Sequence, residues 1–456
     1  MTSLSILILA AGKGIRMRSK FPKVLHELAG SPMLSYILAA ARRLKPDKLA
    51  IIVGENGPAV EALFPEADYI HQKEPLGTAH AVLQAEPMFG HYQGKLMVLC
   101  GDTPLLRPQT LQRLASSHSR ARADLSVLSV SRDDPSGYGR LVFGPSGRLV
   151  KIVEEDEAAP EQKRIKQVNA GVYLGRTQLL FEGLKKVKVS AKKGEYFLTD
   201  LVEILSGQGR KIIAVPAADP QEALGVNSRQ ELAEAERILR RNKVMELMAR
   251  GTTFIDPERS YIDAQVKVGR DSRIFPNTYI LGASVIGRGC IIEPNCFITD
   301  SVLKNEVKVA ASSVIQGSII GPGASIGPMA HLRPGTVIGR HARIGNFVEV
   351  KKSVVGPRTK AAHLTYLGDS VIGADVNIGA GTITCNYDGQ TKHKTIIEDK
   401  VFLGSNTMLV APVRVGKNAV TGAGSTITKD VPARALAVGR AKQVNMPHWR
   451  RKKKPG

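Results

Sequence analysis

Two stretches of this 456-residue chain carry residue types whose spacing could do chemistry. Near the N-terminus an apolar run leads into Leu9-Ala10-Ala11-Gly12-Lys13-Gly14-Ile15-Arg16-Met17, with Pro22-Lys23 close behind. Glycines in such a loop let backbone N–H groups approach a phosphate closely, and Lys and Arg neutralise it. The run is neither the GxGxxG of dinucleotide sites nor the GxxxxGK[ST] of P-loops, which counts against NAD and against Walker-type ATP binding. A second apolar run, Leu96 to Cys100, ends in Gly101-Asp102. An aspartate at the carboxyl end of a strand can hold Mg²⁺, which takes few protein oxygens because phosphates and water supply the rest; the same residue can equally close a turn or cap a helix. Far downstream, His363 stands in a segment with Lys351, Tyr366, Asn386 and Tyr387. Imidazole suits proton removal near neutrality. Cys100, Cys290, Cys296 and Cys385 show no CxxC spacing, so neither a zinc site nor a redox pair is indicated.

The elements that must position these residues differ between the two halves. From Ser3 to Val226 apolar strands alternate with helical stretches (Leu4 to Ala10, Met33 to Leu44, Leu49 to Gly54, Thr78 to Ala85, Leu96 to Cys100). That alternation argues for a Rossmann-like α/β domain with a largely parallel sheet, whose ligands lie beyond the carboxyl ends of its strands. Arg229 to Arg250 reads as a long linker helix, with Gly251 as its C-cap. The expected division is therefore 1–228, a helix over 229–250, and 251–456.

Past the helix an aliphatic residue recurs every six positions: Ile262, Val268, Ile274, Ile280, Ile286, Ile292 and Ile298, then in a new phase from Val314 through Ile320, Ile326, Leu332, Ile338, Ile344 and Val350. The beat returns at Ile372 and Ile378, and again at Ile397, Leu403, Leu409, Val415 and Ile427. A helix would scatter residues six apart around its surface, whereas short strands separated by turns aim every sixth side chain at one axis. A sandwich of short strands has longer, looser spacing, so the pattern specifies a hexapeptide parallel β-helix. The glycines after many of these residues suit corners needing positive φ. Between Val350 and Ile372, and between Ile383 and Ile397, the beat breaks; both breaks read as loops lining a binding face.

Composition narrows the partners. With 43% apolar and 23% charged residues the chain reads as a globular protein; no segment is long and apolar enough to span a bilayer, and Met1 to Ala11 lacks a signal-peptide pattern, so a cytoplasmic protein without membrane insertion is expected. Net charge is +23, yet aromatic residues make up only 5% and no RNP, KH or helix-turn-helix pattern appears. Small anions (nucleotides, sugar phosphates, coenzyme A) are the expected partners rather than nucleic acid. The basic run Arg450 to Lys454 reads as a solvated tail or as an arm near an anionic cofactor.

The string LAAGxGxRM…PK resembles the signature of sugar-1-phosphate nucleotidyltransferases, and the six-residue beat resembles that of hexapeptide-repeat acyltransferases. The latter resemblance implies a left-handed coil and a homotrimer. Nearly the whole chain resembles the family of bifunctional bacterial UDP-N-acetylglucosamine pyrophosphorylase and glucosamine-1-phosphate N-acetyltransferase enzymes. That resemblance implies a nucleotide site in which Leu9, Ala10, Ala11 and Gly12 form the loop, Arg16 and Lys23 contact the triphosphate and the transferred phosphoryl group, and Gln72 with Gly77-Thr78 recognises uridine. It also implies that Gly139, Glu154 and Asn169 hold N-acetylglucosamine and that Asp102 and Asn227 hold Mg²⁺. Ile15, Pro75 and Cys100 depart from residues common in that family (Thr, Gln and Tyr).

In the C-terminal half the same resemblance implies His363 as general base for the amino group of the sugar, with Glu349 as a candidate to orient or charge-tune it. Arg333, Lys351, Tyr366 and Asn377 are implied to bind glucosamine-1-phosphate, and Ala380, Asn386, Tyr387, Ser405, Ala423 and Arg440 acetyl-CoA. The expected activity is acetyl transfer to glucosamine-1-phosphate followed by uridylyl transfer from UTP, giving UDP-N-acetylglucosamine for cell-wall peptidoglycan and lipopolysaccharide precursors. The alternative is a single nucleotidyltransferase whose β-helix serves only for assembly.

Overall fold

The computed structural model describes residues 3–145 and 147–450, so the tail beyond Arg450 lies outside the described residues. The chain divides into two compact units, Met1–Leu239 and Arg240–Gly456. In the first, a mixed sheet has the strand order Ile212–Pro216, Leu125–Ser131, Gln167–Arg176, Lys95–Cys100, Leu4–Leu9, Leu49–Val53, Asp68–His71. Gln167–Arg176 runs antiparallel to both its neighbours, and every other pairing along this path is parallel. Helices cover both faces, so strands such as Leu4–Leu9 and Lys95–Cys100 read as continuous apolar runs rather than alternating ones. Leu9 and Cys100 are paired at the carboxyl ends of two central parallel strands. The glycine-rich loop and Gly101-Asp102 therefore emerge side by side, which is where an open α/β sheet binds its ligands.

The helix Arg229–Ala249 contributes Ala235 and Ile238 to a small core of the first unit and Val244 and Leu247 to the core of the second. It ends with Thr252 N–H donating to Leu247 O (3.1 Å) and Gly251 N–H to Met248 O (3.0 Å), the hydrogen-bond pattern of a Schellman cap.

The second unit is a left-handed parallel β-helix of three walls. One wall is a nine-stranded sheet from Lys267–Val268 to Val413–Val415; the other two are joined in a nineteen-stranded sheet. Successive coils stack in register, as in Ile262↔Ile280, Ile280↔Ile298, Ile298↔Ile315, Ile315↔Leu332 and Leu332↔Val350. The inward residue after the change of phase is Ile315, fully buried, not Val314. Some sides on the nine-stranded wall are one residue shorter, so Ile298 is followed by the buried Leu303 and Ile315 by Ile320.

The same shortening accounts for a second correction. The beat is unbroken between Val350 and Ile372, where Val355, Ala361 and Leu367 carry it, all buried. No loop is inserted there; Arg343–Lys351 and Lys360–Gly368 are nine-residue strands that turn a corner together. The break after Ile383 is a true outgrowth, with Asn386 to Lys394 leaving the coil before Thr395–Ile397 resumes it. Gly327, after Ile326, does lie at positive φ (89°), but most glycines following the beat serve another purpose. Gly287, Gly321, Gly339 and Gly379 are not in the positive-φ region, but a Cβ on any of them would lie 2.5–2.7 Å from backbone atoms of the next coil. Stacking distance, not backbone handedness, demands glycine there.

Candidate active sites

In the first unit a cavity of about 760 Å³ opens at the carboxyl ends of the central strands. Leu9, Ala10, Ala11, Gly12, Arg16, Lys23, Gln72, Gly77, Thr78, Asp102 and Asn227 all line it. Gly14, in the left-handed region at φ 61°, lets Lys23 pass so close that a Cβ would stand 2.8 Å from the Lys23 Cβ. Lys23 Nζ then lies 2.5 Å from Asp102 Oδ2 and 3.0 Å from Asn227 Oδ1. Two hard oxygen donors, one anionic, thus converge on a single cation, a donor set that suits a magnesium ion completing its shell with phosphate and water oxygens. Among the described residues no cluster of three or more His, Cys, Asp or Glu side chains competes as a metal site.

Gln72 is buried; its Nε2 donates to Gly77 O at 3.2 Å and lies 3.0 Å from His80 Nδ1. Gly77 sits at φ 105° with its Cα so near Tyr196 that a Cβ would meet the Tyr196 carbonyl oxygen at 2.6 Å, so only glycine fits. Thr78 Oγ1 accepts from Leu198 N–H (2.9 Å), which pins this turn to the segment after Glu195.

Gly139, Glu154 and Asn169 do not line the cavity, but they cluster with one another. Asn169 N–H donates to Gly139 O (2.8 Å), and Asn169 Nδ2 donates to the Tyr173 hydroxyl (2.7 Å). Burial raises the Glu154 carboxyl above its ordinary range, against a hydrogen bond from Thr199 Oγ1 at 2.8 Å. Arg140 is 1% exposed and paired to Glu155 at 2.6 Å. Cys100 links cluster and cavity, donating to Gly171 O at 3.4 Å, with its thiol pushed up to about 12 by burial and by Asp102. Ile15 and Pro75 also line the cavity, and Ile15 is 80% exposed. Glu195 and Tyr196 were not legible in advance, since nothing in their spacing marks them.

In the second unit His363 lies at the corner between the two walls of the nineteen-stranded sheet. Its cross-coil neighbour is Asn346, and His363 Nδ1 stands 2.8 Å from Asn346 Oδ1. With the Asn346 oxygen toward the ring, this contact favours the tautomer that carries its proton on Nδ1 and leaves Nε2 bare. Glu349 does not touch the imidazole; Arg333 holds it at 2.9 Å, and its strand partner is Tyr366. Asn346 precedes His363 by one 17-residue coil, a relationship the repeat could have shown.

Tyr366 follows His363 by three residues, beyond the left-handed turn at Leu364 (φ 43°). At the far edge of that wall Lys351 meets Lys392, whose proximity holds the Lys351 ammonium below the ordinary lysine range, with Arg333 adding to the effect and Asp369 opposing it. Lys392 belongs to the outgrowth and was missed because its place depends on the fold. Asn386 Nδ2 donates to Asp369 Oδ2 (2.5 Å), which ties the root of the outgrowth to this basic edge, while Tyr387 is exposed. Asn377 stands on the adjoining wall, in register with Lys360 and Phe402.

Ala380, Ser405 and Ala423 occupy successive turns along the corner that holds His363. Gly381 N–H donates to Leu364 O (2.9 Å), Asn406 N–H to Ala380 O (2.6 Å) and Gly424 N–H to Ser405 O (2.8 Å). An Arg440 Nη1 donor reaches Ala423 O at 2.9 Å and closes the series. Four coil steps separate Leu364 from Arg440, roughly 19 Å at the spacing of paired strands. A long thin ligand lying along this edge would run from the imidazole to a guanidinium.

Fold and sites together define a transferase with a nucleotidyltransferase-type α/β unit and a hexapeptide β-helix unit. Residues 6–168 match the MobA-like NTP transferase domain, 250–350 the EIF2B subunit epsilon LbH domain and 394–429 the bacterial transferase hexapeptide (six repeats). The chain is 48% identical over 451 residues to the bifunctional protein GlmU of Trichlorobacter lovleyi, covering 98% of each. It is 46% identical to that of Exiguobacterium sibiricum (97% of this chain, 99% of the relative) and 43% identical to that of Geobacter sulfurreducens (100% of both). The chain belongs to the bifunctional GlmU family. It is an enzyme of two activities, acetyl transfer to glucosamine-1-phosphate and uridylyl transfer from UTP to the acetylated sugar phosphate.

Proposed function

We propose that the cavity of the first unit is the uridylyltransferase site and the corner of the β-helix the acetyltransferase site, used in the order acetyl transfer, then uridylyl transfer. The observation that carries the first assignment is the convergence of Arg16, Lys23, Asp102, Asn227, Gln72 and Gly77 on one cavity. Gln72 and the Gly77-Thr78 turn take the uridine, and the cluster of Gly139, Glu154 and Asn169 takes the sugar. Asp102 and Asn227 hold Mg²⁺, which when bound neutralises phosphate charge. Arg16 and Lys23 align the triphosphate so that an oxygen of the sugar phosphate attacks the α-phosphorus and pyrophosphate leaves in line. The attacking oxygen is already anionic, so the residues act by positioning and charge stabilisation rather than as a base.

In the acetyl transfer His363 Nε2 takes the proton from the attacking amine, the nitrogen bonds to the thioester carbonyl carbon, and coenzyme A leaves as the thiolate, which is then protonated. Arg333, Lys351 and Lys392 hold the sugar phosphate, Tyr366 and Asn377 its hydroxyls. Acetyl-CoA runs along the turns of Ala380, Ser405 and Ala423 to Arg440, with Asn386-Tyr387 at its reactive end.

The chain works as a homotrimer in the cytoplasm. Support for assembly comes from the nine-stranded wall, whose outward positions Val285, Val302, Ile319, Val337, Val354, Val371 and Ile396 follow one another in register as an aliphatic column. No helix among the described residues is long and apolar enough to cross a membrane. The test is to incubate the protein with glucosamine-1-phosphate, acetyl-CoA, UTP and Mg²⁺, omit each in turn and identify products. UDP-N-acetylglucosamine forming only from the full mixture is expected; formation of UDP-glucosamine without acetyl-CoA would overturn the order. Cleavage near Gly251 is expected to leave an N-terminal fragment that makes the nucleotide sugar from N-acetylglucosamine-1-phosphate, and a folded but inactive fragment would overturn the division into 1–228, 229–250 and 251–456.

A further inference from the structure

We infer that His80, which does not line the cavity, is a positioning residue that fixes the Gln72 amide with its oxygen toward the nucleotide base and so sets preference for uracil over cytosine. The inference rests on the reading of Gln72 as a uridine contact. Gly77 O can only accept a hydrogen bond, so the Gln72 atom 3.2 Å from it must be the amide nitrogen. The second N–H of that nitrogen points at His80 Nδ1, 3.0 Å away. With both donors engaged, the Gln72 oxygen remains for the cavity that the residue lines.

This arrangement requires a bare Nδ1 lone pair on His80, hence the Nε2–H tautomer. The Gln84 amide nitrogen lies 3.1 Å from Nε2 and also donates to His80 O at 3.3 Å, so the Nε2–H tautomer requires Gln84 to turn its oxygen to the ring and give up that second bond. Tyr196 lies beside the ring, with centroids 6.5 Å apart. Uracil carries N–H at ring position 3 and cytosine a lone pair. A fixed amide oxygen accepts from the first and is opposed by the second, so discrimination comes from repulsion as well as attraction.

The experiment compares kcat/KM for pyrophosphate release from UTP and from CTP, with N-acetylglucosamine-1-phosphate as acceptor. His80→Phe keeps the packing but removes the acceptor, and should lower the UTP:CTP ratio by about tenfold or more. His80→Asn returns an oxygen to the Nδ1 position and should hold the ratio within about threefold of the parent. An unchanged ratio in His80→Phe, or a collapse in His80→Asn equal to that in His80→Phe, overturns the inference. Gln72→Leu separates the two readings: an unchanged ratio there removes Gln72 from base recognition, whereas a lowered ratio there with an unchanged one in His80→Phe removes only His80. Should His80→Phe be inactive, ¹⁵N-histidine spectra of the full chain decide, the Nε2–H tautomer at His80 supporting the inference and the Nδ1–H tautomer overturning it.

Discussion

Lys23 Nζ lies 2.5 Å from Asp102 Oδ2, although Lys23 comes from the loop after the first strand and Asp102 from the end of Lys95–Cys100. The parallel pairing of those strands, Leu9 beside Cys100, brings the two together. Asp102→Ala is therefore expected to remove an anion on which both Lys23 and a divalent cation depend. Pyrophosphate release should fall by about 10²–10³ or more, the scale for loss of one charge-stabilising group, while thiol release from acetyl-CoA persists. Loss of both activities in a folded variant would contradict separate sites.

His363→Ala should do the reverse, abolishing thiol release and sparing pyrophosphate release. Asn346→Ala tests the orientation of the ring. Without the oxygen 2.8 Å from Nδ1, the imidazole loses its preferred tautomer, and kcat for acetyl transfer should drop by about 10- to 100-fold, less than the loss of the base itself. An Asn346→Asp variant, which restores an acceptor, should recover most of it; equal losses in both variants would argue for a packing role.

Asp200 gives a pH-dependent stability. Burial, with Glu157 and other carboxylates nearby, raises its pKa from 3.8 to about 6. The folded chain thus binds this proton more readily than the unfolded chain, so stability falls as pH rises from about 4 through about 6 and the cost is fully present above that range. Asp200→Asn removes a charge that is costly only when ionised. Its change in Tm relative to the parent should be more positive at pH 7.5 than at pH 4; equal shifts at both would show that Asp200 titrates normally.

Val354 is 44% exposed in the aliphatic column of the nine-stranded wall. If that wall faces another copy of the chain, Val354→Asp buries an unpaired charge on assembly and should shift the molar mass by light scattering toward that of one chain. Acetyl transfer should fall with it and pyrophosphate release remain. A variant that keeps the parental mass would mean that a different face assembles.

Periodicity and motif order in the amino-acid sequence were enough to specify the two kinds of unit and the loop that meets phosphate. Residues such as Ile262, Ile280 and Ile298 must share an axis when side chains recur every six positions, and Gly12 to Met17 must follow a strand for its N–H groups to be free. Tertiary structure decided what depends on stacking across coils and strands. Five-residue sides hid the unbroken beat at Val355, Ala361 and Leu367, and glycines such as Gly287 answer to the backbone of the next coil rather than to a turn. Asn346 rather than Glu349 meets His363, Lys392 meets Lys351 from an outgrowth, and His80 stands behind Gln72. Such contacts join residues that are distant in the chain or on different faces of a turn, where the identity of a side chain says what it can bond but not what the fold will put in front of it.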